Sequence, residues 1–307
     1  MRRYLASRLM QAILNMFLIA TTVFLLVRLS GDATQFLISD RAGPEAERIL
    51  RQQLGLDKPL VYQYGIYIRN LIKGELGVSL RDSRPVKTII WERLKGTLSL
   101  ASLALSIAIL IAVPIGVLSA FWRDTFLDKF GKVMAFLGQS SPQFWTGLML
   151  MLVFSVELGI LPVAGRGGLL TYILPGFTLG WYVTAGILRL TRSSMLDALD
   201  TDYVTMARIK GVPERLVIWK HALRNALIPV LTYLGMVLGS FVNGSVVVET
   251  VFAWPGIGRL AVEAVMRRDY PVIQGVVIMV CFSYIIINLF VDVIYVLIDP
   301  RIKYTKS

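Results

Sequence analysis

The residues best suited to acid–base, nucleophilic or metal chemistry are scarce in this sequence. It contains one histidine, His221, and one cysteine, Cys281, which lies inside an apolar run. A single cysteine cannot form an internal disulfide or a cysteine-based metal site, and a single histidine cannot supply a multi-histidine metal site. No sequence pattern pairs a nucleophile with a base, and the GxxxxGK[ST] loop that cradles nucleotide phosphates is absent. We therefore predict no catalytic residue, no metal and no cofactor, and we interpret His221 as structural or interfacial.

Two acidic residues, Glu157 and Asp292, lie within long apolar runs. A charge inside a membrane is costly and often marks a transport pathway or a proton relay. Glu157 is near the outer end of its run, where its side chain could reach the interface, whereas Asp292 is expected to face other helices. We assign neither to a substrate, and the substrate-binding residues stay unassigned.

The segment Arg189–Pro229 has the clearest pattern of polar and apolar residues. Gly211 stands where helices commonly end in a left-handed residue, and Pro213 can begin a second helix. The pattern predicts a helix, a glycine corner and a second helix that leads into Pro229. The first helix is predicted from apolar residues at spacings of one, three and four: Met195, Leu196, Leu199, Tyr203, Met206 and Ala207.

The apolar face of this segment needs a cover. One interpretation folds it back on the membrane spans or the lipid headgroups, to which its basic residues are attracted. The other inserts the corner into a second protein. Physical chemistry alone slightly favours the membrane.

Long apolar runs must position these residues. Of the 307 residues 55% are hydrophobic, above the roughly 45–50% of soluble domains, and the mean hydropathy is +0.65. Crossing about 30 Å of hydrocarbon takes about 20 apolar residues. We predict an all-α membrane protein with six transmembrane helices, the first an uncleaved anchor, near Leu9–Leu29, Leu98–Ala120, Val133–Ile160, Leu169–Leu190, Ala226–Val248 and Val272–Ile298.

The distribution of charge predicts the orientation. Basic residues gather before the first run, between the second and third, between the fourth and fifth, and after the sixth. By the positive-inside rule both termini are cytoplasmic. The net charge of +12 therefore indicates membrane orientation rather than nucleic-acid binding.

The chain divides into four predicted regions. Residues 1–30 are an N-terminal tail and the first span, and 31–96 are an extracytoplasmic loop. Residues 97–299 are the transmembrane core, including the cytoplasmic segment 189–229, and 300–307 are a cytoplasmic tail. The outer loop shows amphipathic patterns over Glu45–Leu56, after Pro59 up to Gly74 and Gly77, and after Pro85. They suit a cap on the membrane surface and a docking platform equally well.

Residues 202–229, DYVTMARIKGVPERLVIWKHALRNALIP, resemble the cytoplasmic loop of bacterial binding-protein-dependent ABC importer permeases, in particular the peptide/nickel branch. The likeness extends over nearly the whole chain and favours the first of the two permeases in such importers. One departure is that the older consensus begins with Glu-Ala-Ala, where this chain has Thr205, Met206 and Ala207. The other matching stretches are GDA at 31–33, RQQLGLDKPLVYQY at 51–64, GELGVSLRDSRPV at 74–86, LPVAGRGG at 161–168, RLTRSSMLDAL at 189–199, VVVETVFAWPGIGRLAVEAVMRRDYPVIQG at 246–275 and DVIYVLIDPRIKY at 292–304.

The resemblance implies a type I ABC importer permease fold in the bacterial cytoplasmic (inner) membrane. It implies a second homologous permease, two ATPase subunits or domains that hydrolyse ATP, and an extracytoplasmic substrate-binding protein. It also implies that the cytoplasmic loop forms a coupling helix in a cleft of an ATPase, which reverses the preference for a membrane cover. The implied coupling residues are Asp202, Tyr203, Thr205, Met206, Ala207, Arg208, Lys210 and Gly211.

The substrate expected from the resemblance is a peptide or a related small solute. The same branch also imports glutathione, nickel chelates and opine-like compounds. A motor-independent secondary transporter is the alternative from another class, and it predicts inverted repeats and mid-membrane charges. A membrane anchor without a pathway is a further alternative, and co-purification with an ATPase would separate both from an importer.

Overall fold

The computed structural model describes residues 2–29, 48, 51, 52, 55, 57–165, 167–244 and 246–298, and their regular structure is helical apart from an isolated bridge between Val78 and Pro85. The predicted Glu45–Leu56 helix, the motif at 31–33 and the tail at 300–307 lie largely or wholly outside these residues. The helices are α1 (Arg2–Leu29), α2 (Leu60–Ile72), α3 (Val86–Phe121), α4 (Phe126–Ser140), α5 (Gln143–Met151), α6 (Ile173–Leu199), α7 (Asp202–Ile209), α8 (Leu223–Gly244), α9 (Val246–Val251), α10 (Ile257–Met266) and α11 (Tyr270–Ile298).

Shorter helical pieces connect some of these helices. A π-helical segment, Leu152–Glu157, continues α5, and a 3-10 turn, Leu169–Tyr172, leads into α6. A single turn, Glu214–Leu216, and a second π-helical segment, Val217–Ala222, lead into α8.

Within the described residues, five helical segments are long and apolar enough to cross a membrane. They are Arg8–Leu29, Val86–Phe121, Leu169–Leu199, Glu214–Phe241 and Tyr270–Leu289. They overlap the first, second, fourth, fifth and sixth predicted spans.

The third predicted span, Val133–Ile160, differs from the prediction because it is divided. Helix α4 ends at Ser140, Ser141 is extended with ψ 122°, and α5 begins after Pro142. Proline lacks an N–H group and disfavours the helical conformation of the residue before it, so the helix stops there. Pro114 and Pro229, by contrast, lie inside the continuous helices α3 and α8.

Contacts divide the chain into two compact units. The first takes in residues up to Gly96 together with Gly256–Ile285. Its apolar core joins the first turns of α3 to α10 and α11, and a Cβ atom on Gly275 would lie 2.6 Å from Val86 Cγ1. The turn before α3 is tied to this core because the Ser79 hydroxyl donates a hydrogen bond of 2.5 Å to the buried Asp269 carboxylate.

The second unit takes in Thr97–Pro255 and the rest of α11. Its largest apolar core joins α3, α6 and α8, and it buries Phe252 and Trp254. Small residues let these helices approach closely, as is common in membrane bundles. A Cβ atom on Gly180 of α6 would lie 2.8 Å from the Ala104 carbonyl oxygen of α3.

Candidate functional site

The predicted cytoplasmic helix is two helices rather than one. Helix α6 ends at Leu199, and Thr201 is extended with φ −85° and ψ 152° before α7 begins at Asp202. The Thr201 hydroxyl donates a 2.5 Å hydrogen bond to the Ala198 carbonyl, which holds the break. Asp202 in the first turn interacts favourably with the positive end of the α7 dipole. The prediction of one continuous apolar face from Met195 to Ala207 was therefore wrong.

The break changes which residue of α7 is buried. Val204 is fully buried, in a cluster with Met195 of α6 and Val217 of the π-helical segment, and Ala207 packs against the same cluster. We call this group the loop core; it also includes Val117, Ala120, Ala198, Ile218, Ala222, Leu223 and Ala226. The predicted coupling residues omitted Val204, although its spacing of three from Ala207 would have indicated a shared face once the break was known.

The opposite face of α7 is apolar and exposed. Tyr203 is 39% exposed, Met206 is 55% exposed and Ile209 is 74% exposed. Ile209 was missing from the predicted set, although it lies three residues after Met206 and so shares its face. Thr205 and Lys210 are also exposed. The helix is therefore fixed to the protein on one side and presents an apolar surface on the other.

Gly211 forms the predicted corner. Its φ is +75°, its N–H donates to the Arg208 carbonyl at 2.9 Å, and the Val212 N–H donates to the Ala207 carbonyl at 3.2 Å. This pair of hydrogen bonds is the Schellman ending of a helix, in which a glycine adopts the left-handed conformation. The predicted left-handed ending at Gly211 is confirmed.

An ion pair spans the corner. The Arg208 guanidinium donates to the Glu214 carboxylate, with an Nη2–Oε1 distance of 2.8 Å and an Nε–Oε1 distance of 3.2 Å. Both side chains are about two-fifths exposed, so the pair adds little to stability in water. Its geometric effect is to link the last turn of α7 to the start of the returning chain.

The remaining singled-out residues lie apart from α7 or outside the described side chains. His221 is half-buried in the π-helical segment Val217–Ala222, and Glu157 is exposed at the end of the other one. Cys281 is half-buried in α11, and the side chain of Asp292 lies outside the described part of the chain. Among the described residues, no group of three or more histidine, cysteine, aspartate or glutamate side chains could hold a metal ion.

A buried carboxylate, Asp128, is not among the residues predicted from the sequence. Asp128 of α4 is fully buried and accepts hydrogen bonds from Arg192 of α6, with Nε–Oδ1 2.6 Å and Nη2–Oδ2 2.9 Å. Lys132 Nζ lies 2.9 Å from Oδ2, and the Asp124 backbone N–H donates to Oδ2 at 3.0 Å. The hydrogen bonds from Arg192 are the main reason that the pKa of Asp128 is far below its ordinary value, despite its burial. We call these four residues the Asp128 clamp.

Family comparisons cover nearly the whole chain. Residues 112–304 match the model of the binding-protein-dependent transport system inner membrane component. Residues 1–101 match the N-terminal model of the same kind of membrane component.

Full-length relatives agree with these matches. The chain is 44% identical over 305 residues to the glutathione transport system permease protein GsiC of Pectobacterium atrosepticum, and 43% identical over 305 residues to that of Escherichia coli strain K12. Each alignment covers 99% of this chain and 100% of the relative.

A solved structure shares the fold. The crystal structure of an amino acid ABC transporter with histidines matches with a TM-score of 0.53 and 18% identity, over 70% of this chain and 94% of that one. The chain therefore belongs to the family of binding-protein-dependent transport system inner membrane components and is a permease subunit of an ABC importer of the dipeptide/oligopeptide type.

Proposed function

We propose that α7 and the Gly211 corner are the ATPase-coupling site of this permease. The observation that carries the proposal is the exposed apolar face of Tyr203, Met206 and Ile209 on a helix whose other side is anchored by Val204. An amphipathic helix with such a face is suited to a groove in a partner protein. The proposed contact comprises Asp202, Tyr203, Thr205, Met206, Ala207, Arg208, Lys210 and Gly211, with Ile209 added.

The proposed topology has six crossings with both termini in the cytoplasm. The third crossing would consist of the divided run, in which α4 is followed by α5 and the π-helical segment Leu152–Glu157. Residues 31–96 would face the outside, 97–299 would form the core and 300–307 a cytoplasmic tail. The basic residues at the inner ends of the apolar runs support this orientation.

The proposed assembly pairs this chain with a second homologous permease, two ATPase subunits or domains, and an extracytoplasmic binding protein. The solute would pass between the two permeases. When the ATPases close on ATP, they would carry the two coupling helices toward each other. Because the buried side of α7 shares the loop core with the ends of α3, α6 and α8, that movement would reach the spans. ATP hydrolysis in the separate subunits would reverse it.

The proposed substrate is a small peptide or a peptide-like solute. Glutathione is favoured within this class because the relatives that are 43–44% identical are named glutathione transport permeases. Nickel chelates and opine-like compounds are the alternatives in the same branch. Calorimetry of the cognate binding protein with glutathione, dipeptides and a nickel chelate would decide, because that protein sets most of the selection.

The coupling site is tested by placing a charge on the exposed face of α7. Met206→Asp should abolish co-purification with the ATPase and ATP-driven uptake in proteoliposomes, because a carboxylate in an apolar groove is strongly disfavoured. Met266→Asp is the matched control, since Met266 is 80% exposed at the end of α10 and is not part of the segment Arg189–Pro229. If the Met206→Asp permease binds the ATPase as tightly as the wild type does, α7 is not the coupling site. Uptake without ATP or other subunits would refute the importer.

A further inference from the structure

The Asp128 clamp joins the start of α4 to α6, near the segment that carries α7. Asp128 is in the first turn of α4, and Arg192 is in α6, one turn before Met195 of the loop core. Burying a carboxylate is costly unless it is paired and hydrogen-bonded, and here it receives both of these compensations. The clamp is thus a fixed link between the two helices rather than a surface ion pair.

Close contacts at two glycines also join the end of α3 to α4 and α6. A Cβ atom on Gly116 of α3 would lie 2.8 Å from Thr191 Cβ of α6, one residue before Arg192. A Cβ atom on Gly131 of α4 would collide with the Ser119 hydroxyl of α3. The ends of three helices are therefore packed without room for a methyl group, which leaves little freedom for sliding.

The buried residue of α7 lies in the loop core, together with residues at the ends of α3 and α6. Val204 of α7 belongs to the same apolar cluster as Val117 and Ala120 at the end of α3 and Met195 and Ala198 at the end of α6. The buried side of α7 therefore shares one apolar core with two of the helices that the clamp and the glycine contacts tie together. If the ion pair between Asp128 and Arg192 were broken, α4 and α6 could separate. A displacement of α7 would then move nearby side chains without moving the helices together.

We propose that Asp128 and Arg192 are positioning residues for energy coupling: their buried ion pair makes the ends of α3, α4 and α6 move as one body with α7. The inference rests on α7 being the ATPase contact, as proposed above. Neither residue touches solute or nucleotide in this scheme, and both act through the placement of α7.

The distinguishing measurement is the number of solute molecules imported per ATP hydrolysed by the complete importer in proteoliposomes. In Asp128→Asn this ratio should fall about fivefold or more, the lower end of typical coupling effects. Asp197→Asn is the matched control, because it removes an exposed carboxylate from α6, five residues after Arg192 and outside the Asp128 clamp. The control should keep the wild-type ratio. A purely structural clamp would lower yield and both rates together, so an unchanged ratio in Asp128→Asn overturns the proposal.

Arg192→Lys covers the case in which Asp128→Asn does not assemble. It keeps a positive charge beside Asp128 but removes the bidentate hydrogen bonding of the guanidinium to the carboxylate. Its import per ATP should also fall, and a wild-type ratio in this variant overturns the proposal.

A distance measurement on the full permease separates this proposal from the coupling site itself. Spin labels at the exposed positions Lys129 of α4 and Thr205 of α7, in a Cys281→Ser background, report the spacing of the two helices. The distance distribution should be narrow in the wild type and with Asp197→Asn, and broader with Asp128→Asn and Arg192→Lys. Equal widths in all four proteins overturn the clamp. Failure of the wild-type permease to co-purify with the ATPase would instead refute the coupling site.

Discussion

Replacing Gly211 with alanine tests the backbone conformation of the corner without changing its charge or polarity. Gly211 has φ +75°, and a Cβ atom added there meets no heavy atom within 4 Å. The substitution therefore introduces no collision. Its effect is the backbone strain of an L-residue in the left-handed region, which is about 1–2 kcal/mol.

This strain sets the expected loss of affinity. If the free loop relaxes its corner while the ATPase cleft requires the left-handed one, binding must restore the strained form. The apparent dissociation constant rises as the binding-competent fraction falls. A strain of 1–2 kcal/mol corresponds to roughly a 5- to 30-fold change. Gly211→Asn should recover much of the affinity, because asparagine tolerates this conformation better than alanine does.

The assay is titration of the reconstituted permease with its ATPase subunits. The expected order of affinity is wild type, then Gly211→Asn, then Gly211→Ala. Equal affinities of the Gly211→Ala and wild-type permeases, or a weaker affinity of Gly211→Asn than of Gly211→Ala, would contradict an effect of backbone strain. Thermal unfolding of each permease alone would show whether the fold itself had changed.

Two further predictions concern stability. Asp128→Asn should destabilise the permease by about 3–5 kcal/mol in thermal unfolding in detergent, because it leaves Arg192 unpaired beside a buried site. Asp128, in the first turn of α4 and ahead of the predicted third span, has a lowered pKa in the folded protein, so its contribution to stability is fully present above its unfolded pKa of about 3.9. The advantage of the wild type over Asp128→Asn should therefore stay constant from about pH 8 to 5 and shrink below about pH 4; a loss between pH 7 and 5 would contradict this. Gly180→Ala should destabilise the permease by about 1–3 kcal/mol because its Cβ atom meets the Ala104 carbonyl oxygen at 2.8 Å. Gly65→Ala is the control, because Gly65 lies in open space within α2, and it should be neutral or stabilising. Equal melting temperatures of the two variants would contradict this contrast.

Local patterns predicted much of the fold. Length and hydropathy located runs that overlap all five long apolar helices, because a membrane span is a local requirement on about 20 residues. The endings of α2 near Gly74 and of α7 at Gly211 were also predicted, since left-handed glycines at both positions are a property of the backbone. The division of the third run at Pro142 was underestimated, because a proline in a membrane helix can either be tolerated, as at Pro229, or end the helix.

Composition, ordered motifs and residue spacing indicated the helical membrane class, the family and the segment that contains the proposed coupling site, because these are properties of the chain. The tertiary structure decided which face of that segment is free. It put Val204 inside and Ile209 outside, since the break at Thr201 rotates α7 relative to α6. It also decided that Asp128 and Arg192, 64 residues apart, form one buried pair. No periodicity could show that contact, because the packing of α4 against α6 brings the two charges together and removes the carboxylate from water.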